Sequence, residues 1–377
     1  MIRKLLALVL YFFVVIAHGQ INYKGQILDA KTEQPLPYVN IGIIGKGVGT
    51  VSDEEGFFYL EIDRSRYEVT AEIQISSLGY ETLDIPISQI STAGQESPKI
   101  LMRPSEIQLQ EVVVLSDALV PITEYLGYRN YGERSFGYWN DNIALGGELA
   151  TKIRARRGKR QLNSLEFEVW ENPSDSVLIR VNIYDTDGFL GRPNTNLNTS
   201  QKNIITTLST GREIITVDLN PYEIYVEDDF IVSLELLQVY GDKKLSVVLA
   251  ASSSTGSSFR RYASQSDWEL LSDTHMAYYL ETSPYVTQKK ASKYESKVER
   301  IRAKERMLSG YAIFRGKMIS DVSVLNTRTR ETVQTDESGR YEIHAEKGDI
   351  ILFNKTGYKE MFLQVGTDQF ANAIMKL

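Results

Sequence analysis

The chain has 377 residues, a formal net charge of −7, 42% hydrophobic and 24% charged residues, and no cysteine. Disulfide scaffolding and thiolate chemistry are excluded, and the acidic balance argues against nucleic acid, whose phosphates need clustered Lys and Arg. Tyr and Phe are abundant, at 22 and 13, and recurrent β-branched runs point to β structure.

Residues 1–19 stand apart. Arg3 and Lys4 precede the apolar run Leu5–Ala17, and Ala17-His18-Gly19 puts small residues at the −3 and −1 positions before Gln20. This reads as a secretory signal peptide. The run is shorter than the ~20 residues that cross a bilayer, and no later stretch is apolar enough to do so. With no cysteine for a lipid anchor, the expected product is exported: periplasmic, outer-membrane-associated or secreted, with no transmembrane segment after cleavage.

Residues 20–104 read as a small β-sandwich. Short alternating runs, such as Tyr38–Ile44 and Ala71–Ser77, are separated by turn chemistry at Thr32–Pro37 and Leu78–Glu81. Ser52–Phe58 reads as a hairpin: Asp53 bonds the backbone ahead of it, Gly56 supplies φ > 0, and Phe58 starts the returning strand. Gly45, Gly47 and Gly49 lack the third-glycine spacing and following helix of a phosphate loop, so they read as a flexible connection.

Gly25-x-Ile27, Pro35–Ile41, Gly49-Thr-x-Ser-Asp-x-x-Gly-x-Phe58 and Ser77-Leu-Gly-Tyr80 occur in order, and together they resemble the carboxypeptidase-regulatory-like domain. The resemblance implies a transthyretin-like β-sandwich with a non-catalytic accessory role. That family accompanies secreted carboxypeptidases and precedes many TonB-dependent outer-membrane transporters. Nothing in the chain resembles a carboxypeptidase catalytic domain.

Residues 105–117 read as a linker. Leu109–Val114 resembles the segment that joins this domain to the plug of TonB-dependent transporters and can pair as an added strand. The resemblance implies an outer-membrane transporter component as an alternative partner, although no barrel-length run of strands follows.

Residues 118–286 carry further alternating runs, including Glu148–Ala155, Gln161–Trp170, Val177–Tyr184, Glu213–Leu219, Asp229–Leu236 and Leu245–Ala250. They predict a jelly-roll-like sandwich, similar in pattern to galactose-binding-like and carbohydrate-binding modules. The tryptophans all fall here. Trp170 ends an alternating run and reads as core. Trp139 and Trp268 sit among polar residues, which makes them the candidates for stacking on a sugar or peptide. Residues 287–308 read as a charged helical linker, or a basic contact surface. Residues 309–377 repeat the first sandwich in shortened form, with Thr335–Tyr341 echoing the Ser52 hairpin and Lys317-Met-Ile replacing Pro35-Leu-Pro.

Chemistry is sparse. His275 and His344 are the histidines left after cleavage, and no G-x-S-x-G elbow occurs around Ser252–Ser258. Asp185 and Asp187 alternate as calcium ligands do, but the third carboxylate and distal Glu are missing, so a hairpin is the better reading and calcium stays open. Glu227–Asp229 reads as a solvated turn. The expectation is an all-β protein: two small transthyretin-like sandwiches flanking a central jelly-roll-like sandwich, with a short helical linker. It is an exported, non-enzymatic protein with no cofactor, metal or nucleic acid, binding a protein or glycan ligand through Trp139 and Trp268. The alternatives are an accessory to a TonB-linked uptake system and a cryptic hydrolase.

Overall fold

The computed structural model describes residues 20–377, apart from 64–65, 69, 90–97, 106–118, 131–133, 141–142, 254–255, 272–273 and 303–305. The signal-peptide segment and Leu109–Val114 therefore lie outside the described residues. The rest is almost entirely β. One compact unit extends from the first strand to Pro284. A second comprises Tyr285–Leu377 with short stretches around 119–122 and 129–130.

The first sandwich is built from β1 (Gln20–Asp29), β2 (Asn40–Ile43), β3 (Gly49–Val51), β4 (Phe57–Asp63), β5 (Glu72–Ser76), β6 (Leu83–Pro86) and β7 (Lys99–Met102). One sheet has the order β4-β1-β7, with β7 parallel to β1, and the other has the order β3-β2-β5-β6. Strict alternation drives the packing: Phe58, Leu60 and Ile62 of β4 point inward with Ile41, Ile43, Ile73 and Ile75 from the facing sheet.

The central sandwich follows. Its strands are β8 (Leu119–Pro121), β9 (Glu124–Gly127), β10 (Phe136–Asn140), β11 (Glu148–Ile153), β12 (Arg160–Glu171), β13 (Ser176–Tyr184), β14 (Ile204–Ser209) and β15 (Glu213–Asp218). They continue with β16 (Tyr225–Val226), β17 (Phe230–Tyr240), β18 (Ser246–Ser252), β19 (Ser258–Arg261), β20 (Glu269–Leu271), β21 (His275–Met276) and β22 (Tyr279–Thr287). A six-stranded sheet, β14-β13-β17-β11-β19-β20, packs on a second sheet ordered β10-β18-β12-β22. Trp139, Leu149, Phe167, Phe230 and Tyr278 fill the space between them, and the Tyr278 hydroxyl donates to the Leu149 carbonyl at 2.9 Å.

The charged stretch after β22 forms α1 (Gln288–Arg302), shorter than the expected 287–308 because Arg306–Leu308 already belong to a strand. The last sandwich has β23 (Arg306–Phe314), β24 (Lys317–Met318), β25 (Ser323–Asn326), β26 (Thr332–Gln334), β27 (Arg340–Ala345), β28 (Ile350–Asn354), β29 (Met361–Gln364) and β30 (Ala373–Ile374). Its sheets repeat the strand order of the first sandwich, with β24 added beside β23. β27-β23, with β30 parallel to β23, corresponds to β4-β1-β7, and β26-β25-β28-β29 corresponds to β3-β2-β5-β6.

The two hairpins are held by matching hydrogen bonds. Asp53 Oδ1 accepts from the Glu55 and Phe57 amides at 3.1 and 2.7 Å; Asp336 Oδ1 accepts from Ser338 and Arg340, both at 2.9 Å. Ser52 Oγ accepts from the Val39 amide and donates to the Leu36 carbonyl. Thr335 Oγ1 accepts from Val322 and donates to Ile319. Gly56 and Gly339 take φ of 75° and 76°. A Cβ on Gly56 would lie 2.5 Å from the Ile27 carbonyl oxygen, and one on Gly339 would lie 2.8 Å from the Ile319 nitrogen. Gly56→Ala and Gly339→Ala are each expected to cost about 1–3 kcal/mol, the usual range for a strained left-handed residue. Amide hydrogen exchange should show the loss in β4 for the first variant and in β27 for the second.

Candidate functional site

The outward face of the six-stranded sheet carries a row of four charges on four adjacent strands. Register places Arg180 of β13 opposite Glu235 of β17, Glu235 opposite Glu148 of β11, and Glu148 opposite Arg261 of β19. Glu148 and Glu235 are fully buried, and Arg180 is 5% exposed. Charges so deep persist only when paired and hydrogen-bonded.

Arg180 meets that demand completely. Its Nε and Nη2 hold Glu235 in a fork at 2.8 and 2.9 Å. Nη1 donates to the Tyr38 carbonyl at 2.9 Å and to Asn203 Oδ1 at 3.2 Å, and Nη2 also donates to Asn40 Oδ1 at 2.9 Å. All five guanidinium N–H donors are thus used, two of them on the first sandwich. Glu235 also accepts from Asn182 Nδ2 at 2.7 Å. At the far end of the row, Arg261 pairs with Glu148, which accepts from the Tyr184 hydroxyl at 3.1 Å. Trp268 covers the Arg261 guanidinium at 5.0 Å and meets the Tyr184 ring edge-on.

Burial pushes both carboxyls up. For Glu235 burial is the largest single influence, but the charge and hydrogen bonds of Arg180, with Arg261 and Asn182, together hold the group below the usual carboxylate range. Glu148 stays raised: burial outweighs Arg261, and its Oε2 has no hydrogen-bond partner.

Arg180 is one part of a larger docking surface. Tyr38 and Val51 of the first sandwich pack with Leu237, Leu145, Leu178 and Ile205 of the central one. The Gly45 amide donates to the Gln265 carbonyl, Ser266 Oγ donates to the Lys46 carbonyl at 2.6 Å, and Gln265 Nε2 donates to Ser76 Oγ at 2.7 Å. Gly42 and Gly49 are register partners. A Cβ on either would sit 2.2 or 2.4 Å from the Ser264 carbonyl oxygen, so both must be glycine for the two backbones to touch. The glycine run that reads as a flexible connection therefore makes contact at Gly45 and Gly49, whereas a Cβ on Gly47 would meet nothing.

The sequence candidates are dispersed. Trp139 is corrected outright: it is 0% exposed, deep in the core, and offers no ring face to a ligand. Its neighbours Tyr138 and Asn140 are polar because they lie on the opposite face of β10, as alternation requires. Trp268 is half-buried over Arg261. Trp170, expected in the core, is half-buried, with Arg212 5.9 Å from its ring. Asp187 organises its loop, accepting from the Thr195 amide and hydroxyl at 3.0 and 2.6 Å, and these bonds hold its carboxyl below the usual range. Asp185 accepts from the Thr186 amide. No group of three or more metal-ligating side chains occurs among the described residues. Asp229 caps the Ala155 amide and pairs with Lys152 at 3.1 Å, so the Glu227–Asp229 turn is tied down rather than merely solvated. His275 is buried against Tyr128, whereas His344 pairs with Glu331. Sequence reasoning missed Arg180, Glu148 and Glu235. The available signal was a charge inside an otherwise apolar strand, as in Val177-Leu-Ile-Arg-Val and Val232-Ser-Leu-Glu-Leu-Leu.

Residues 23–114 match the CarboxypepD_reg-like domain family, which takes in the first sandwich from Tyr23 onward and continues through Val114. The match does not extend to the last sandwich, which shares the strand order of the first. No curated protein matches the chain. Among solved structures, the cysteine protease and lectin-like domains of Cwp84 from Clostridium difficile align over 72% of this chain and 60% of that one, at 11% identity and a TM-score of 0.29. BcpA, the major pilin subunit of Bacillus cereus, aligns over 95% and 99%, at 9% identity and a TM-score of 0.16. The chain spans less than two thirds of the Cwp84 chain, and likeness at these scores carries no information about role.

Removing Arg180 leaves Glu235 buried without its counter-charge. Arg180→Met is expected to cost about 3–5 kcal/mol, and Arg180→Met with Glu235→Leu to recover most of it, both read from chemical denaturation. The pH response should change sign. In the parent the depressed Glu235 contributes stability above its unfolded pKa, and that contribution fades as pH falls through the lowered folded value. In Arg180→Met burial, the largest influence on Glu235, is opposed only by Arg261 and Asn182 and raises the group, so acidification should restore part of the loss. Separately, Gly42→Leu with Gly49→Thr should leave the first sandwich folded but undock it, seen as faster amide exchange in β2 and β3.

Proposed function

We propose that the chain is an exported, non-catalytic scaffolding or binding protein of the bacterial cell envelope, with its regulatory-like sandwich and central sandwich locked into one rigid body. The observation that carries this reading is the five-fold satisfied Arg180, whose acceptors come from both sandwiches. Hydrolysis by paired carboxylates needs both of them within reach of substrate. Here Glu148 and Glu235 are sealed from solvent, and each is committed to an arginine. Trp268, half-buried over Arg261, is the remaining candidate for contact with a glycan or protein ligand.

The accessory role in a TonB-linked uptake system has one observation in its favour. The family match runs through Leu109–Val114, so that segment belongs to the recurring module rather than to a connection unique to this chain. On this reading the segment offers itself to a transporter component as an added strand.

Cell fractionation of the host with mass spectrometry of the mature terminus tests the first reading. The chain is expected in the envelope, beginning at Gln20, and without turnover of glycosidic, ester or peptide substrates. A cytoplasmic chain retaining Met1, or turnover abolished by Glu235→Gln, would falsify it. Deleting Leu109–Val114 should abolish copurification with a transporter component if the accessory reading holds; unchanged copurification removes it.

A further inference from the structure

The turn at Phe189 and Leu190 has a physical cost that the fold of its own chain does not explain. These two side chains are 77% and 79% exposed, more than any other large hydrophobic among the described residues. Leu190 adopts φ of 57°, a left-handed conformation that branched side chains rarely take. The loop beneath them is pre-organised. Asp187 grips Thr195, the Asp185 amide donates to the Thr195 carbonyl at 2.8 Å, and the Gly188 amide donates to the Arg192 carbonyl at 3.1 Å. A rigid loop that holds two apolar side chains in water has the form of an interface anchor.

A receptor of matching chemistry lies where the first sandwich meets the central one. Beside the outer edge of β4, a cleft of about 460 Å³ is walled by Phe57, Tyr59 and Leu145, with Lys24 and Asp53 on its polar side. Phe57 and Tyr59 are themselves 46% and 55% exposed. Strand β13 links the two features. Leu178 packs in the apolar cluster with Leu145 and Leu237, which line the cleft, and Tyr184 leads into the loop. Six residues of strand put them roughly 20 Å apart, at ~3.3 Å per residue. The loop cannot reach the cleft of its own chain.

We propose that the chain associates head to tail with further copies of itself, the Phe189–Leu190 loop of one copy seated in the β4 cleft of the next. Charge favours a second copy over a lipid surface. The loop offers Asp187 and Arg192 to Lys24 and Asp53, one acid for each base, and lacks the Lys and Arg cluster that anionic lipid selects. A contact between two different patches is heterologous, so it propagates as an open chain of copies. The inference deepens the scaffolding reading by naming a partner. The two fail separately, because assembly is measured on the purified chain and localisation in cells.

Sedimentation velocity over a concentration series tests it, with the protein purified as its host processes it. The parent is expected to form species beyond the dimer as concentration rises. Phe189→Ser with Leu190→Ser, and separately Phe57→Ser with Tyr59→Lys, should each weaken self-association about tenfold or more while keeping the parent's circular dichroism and melting temperature. An equimolar mixture of the two variants retains one intact loop and one intact cleft. It should form a heterodimer and stop there. A parent that stays monomeric to its solubility limit, a variant that assembles like the parent, or a mixture without heterodimer would overturn the proposal. So would vesicle flotation that is lost in the loop variant and kept in the cleft variant, which assigns the loop to lipid.

Discussion

The buried guanidinium of Arg180 is the constraint on which the pairing of the first and central sandwiches depends. Moving a cation and a carboxylate out of water is costly, and their attraction repays it only when every remaining donor finds an acceptor. Glu235 and Asn203 supply three acceptors from the central sandwich. The Tyr38 carbonyl and Asn40 supply the other two from the first sandwich. Undocking would leave two charged donors without partners and expose the apolar cluster around Leu237 together. Both penalties have the same sign, which makes the docked arrangement a property of the fold rather than an encounter.

Tyr38 shows how local strain serves that contact. Its φ of 57° is unusual for an aromatic residue, yet Asp321 takes 53° at the matching point of the last sandwich. In both places the amide donates back across the hairpin, to Ser52 or to Thr335. The left-handed turn therefore belongs to the architecture, and Asp tolerates it readily. The first sandwich spends the position on a ring instead. The Tyr38 ring joins Val51 and Leu237, its hydroxyl donates to Glu54 at 3.1 Å, and its carbonyl is delivered to Arg180.

Much of this architecture was legible because it is local. Alternation in Phe57–Asp63 and Arg340–Ala345 states which side chains face inward, and the Asp-x-x-Gly spacing states where each hairpin turns. The site was not legible, because it is made by register between distant strands. Nothing in Val177–Tyr184 reveals that Arg180 will lie beside Glu235, 55 positions on, or that Asn40 will complete its shell. Trp139 misled for a related reason. Polar flanks suggest exposure along a loop, whereas along a strand they accompany burial, and that distinction needs the strand to be known first.

The two copies of the small sandwich separate what the fold requires from what docking requires. Gly56 and Gly339 are shared, with the same φ, so they belong to the fold. Gly42 and Gly49 are not. Their counterparts on the facing strands of the last sandwich are Leu325 and Thr332, paired in the same register. A β2–β3 hairpin of this kind thus forms equally well with side chains on that face. The glycines in the first copy are there because the Ser264 backbone comes within about 2.4 Å of where a Cβ would be, and glycine alone admits it. The same comparison explains why Gly49 reads as mere flexibility in the run with Gly45 and Gly47. A glycine run looks alike in sequence whether it serves motion or close contact, and only a neighbouring backbone tells the two apart.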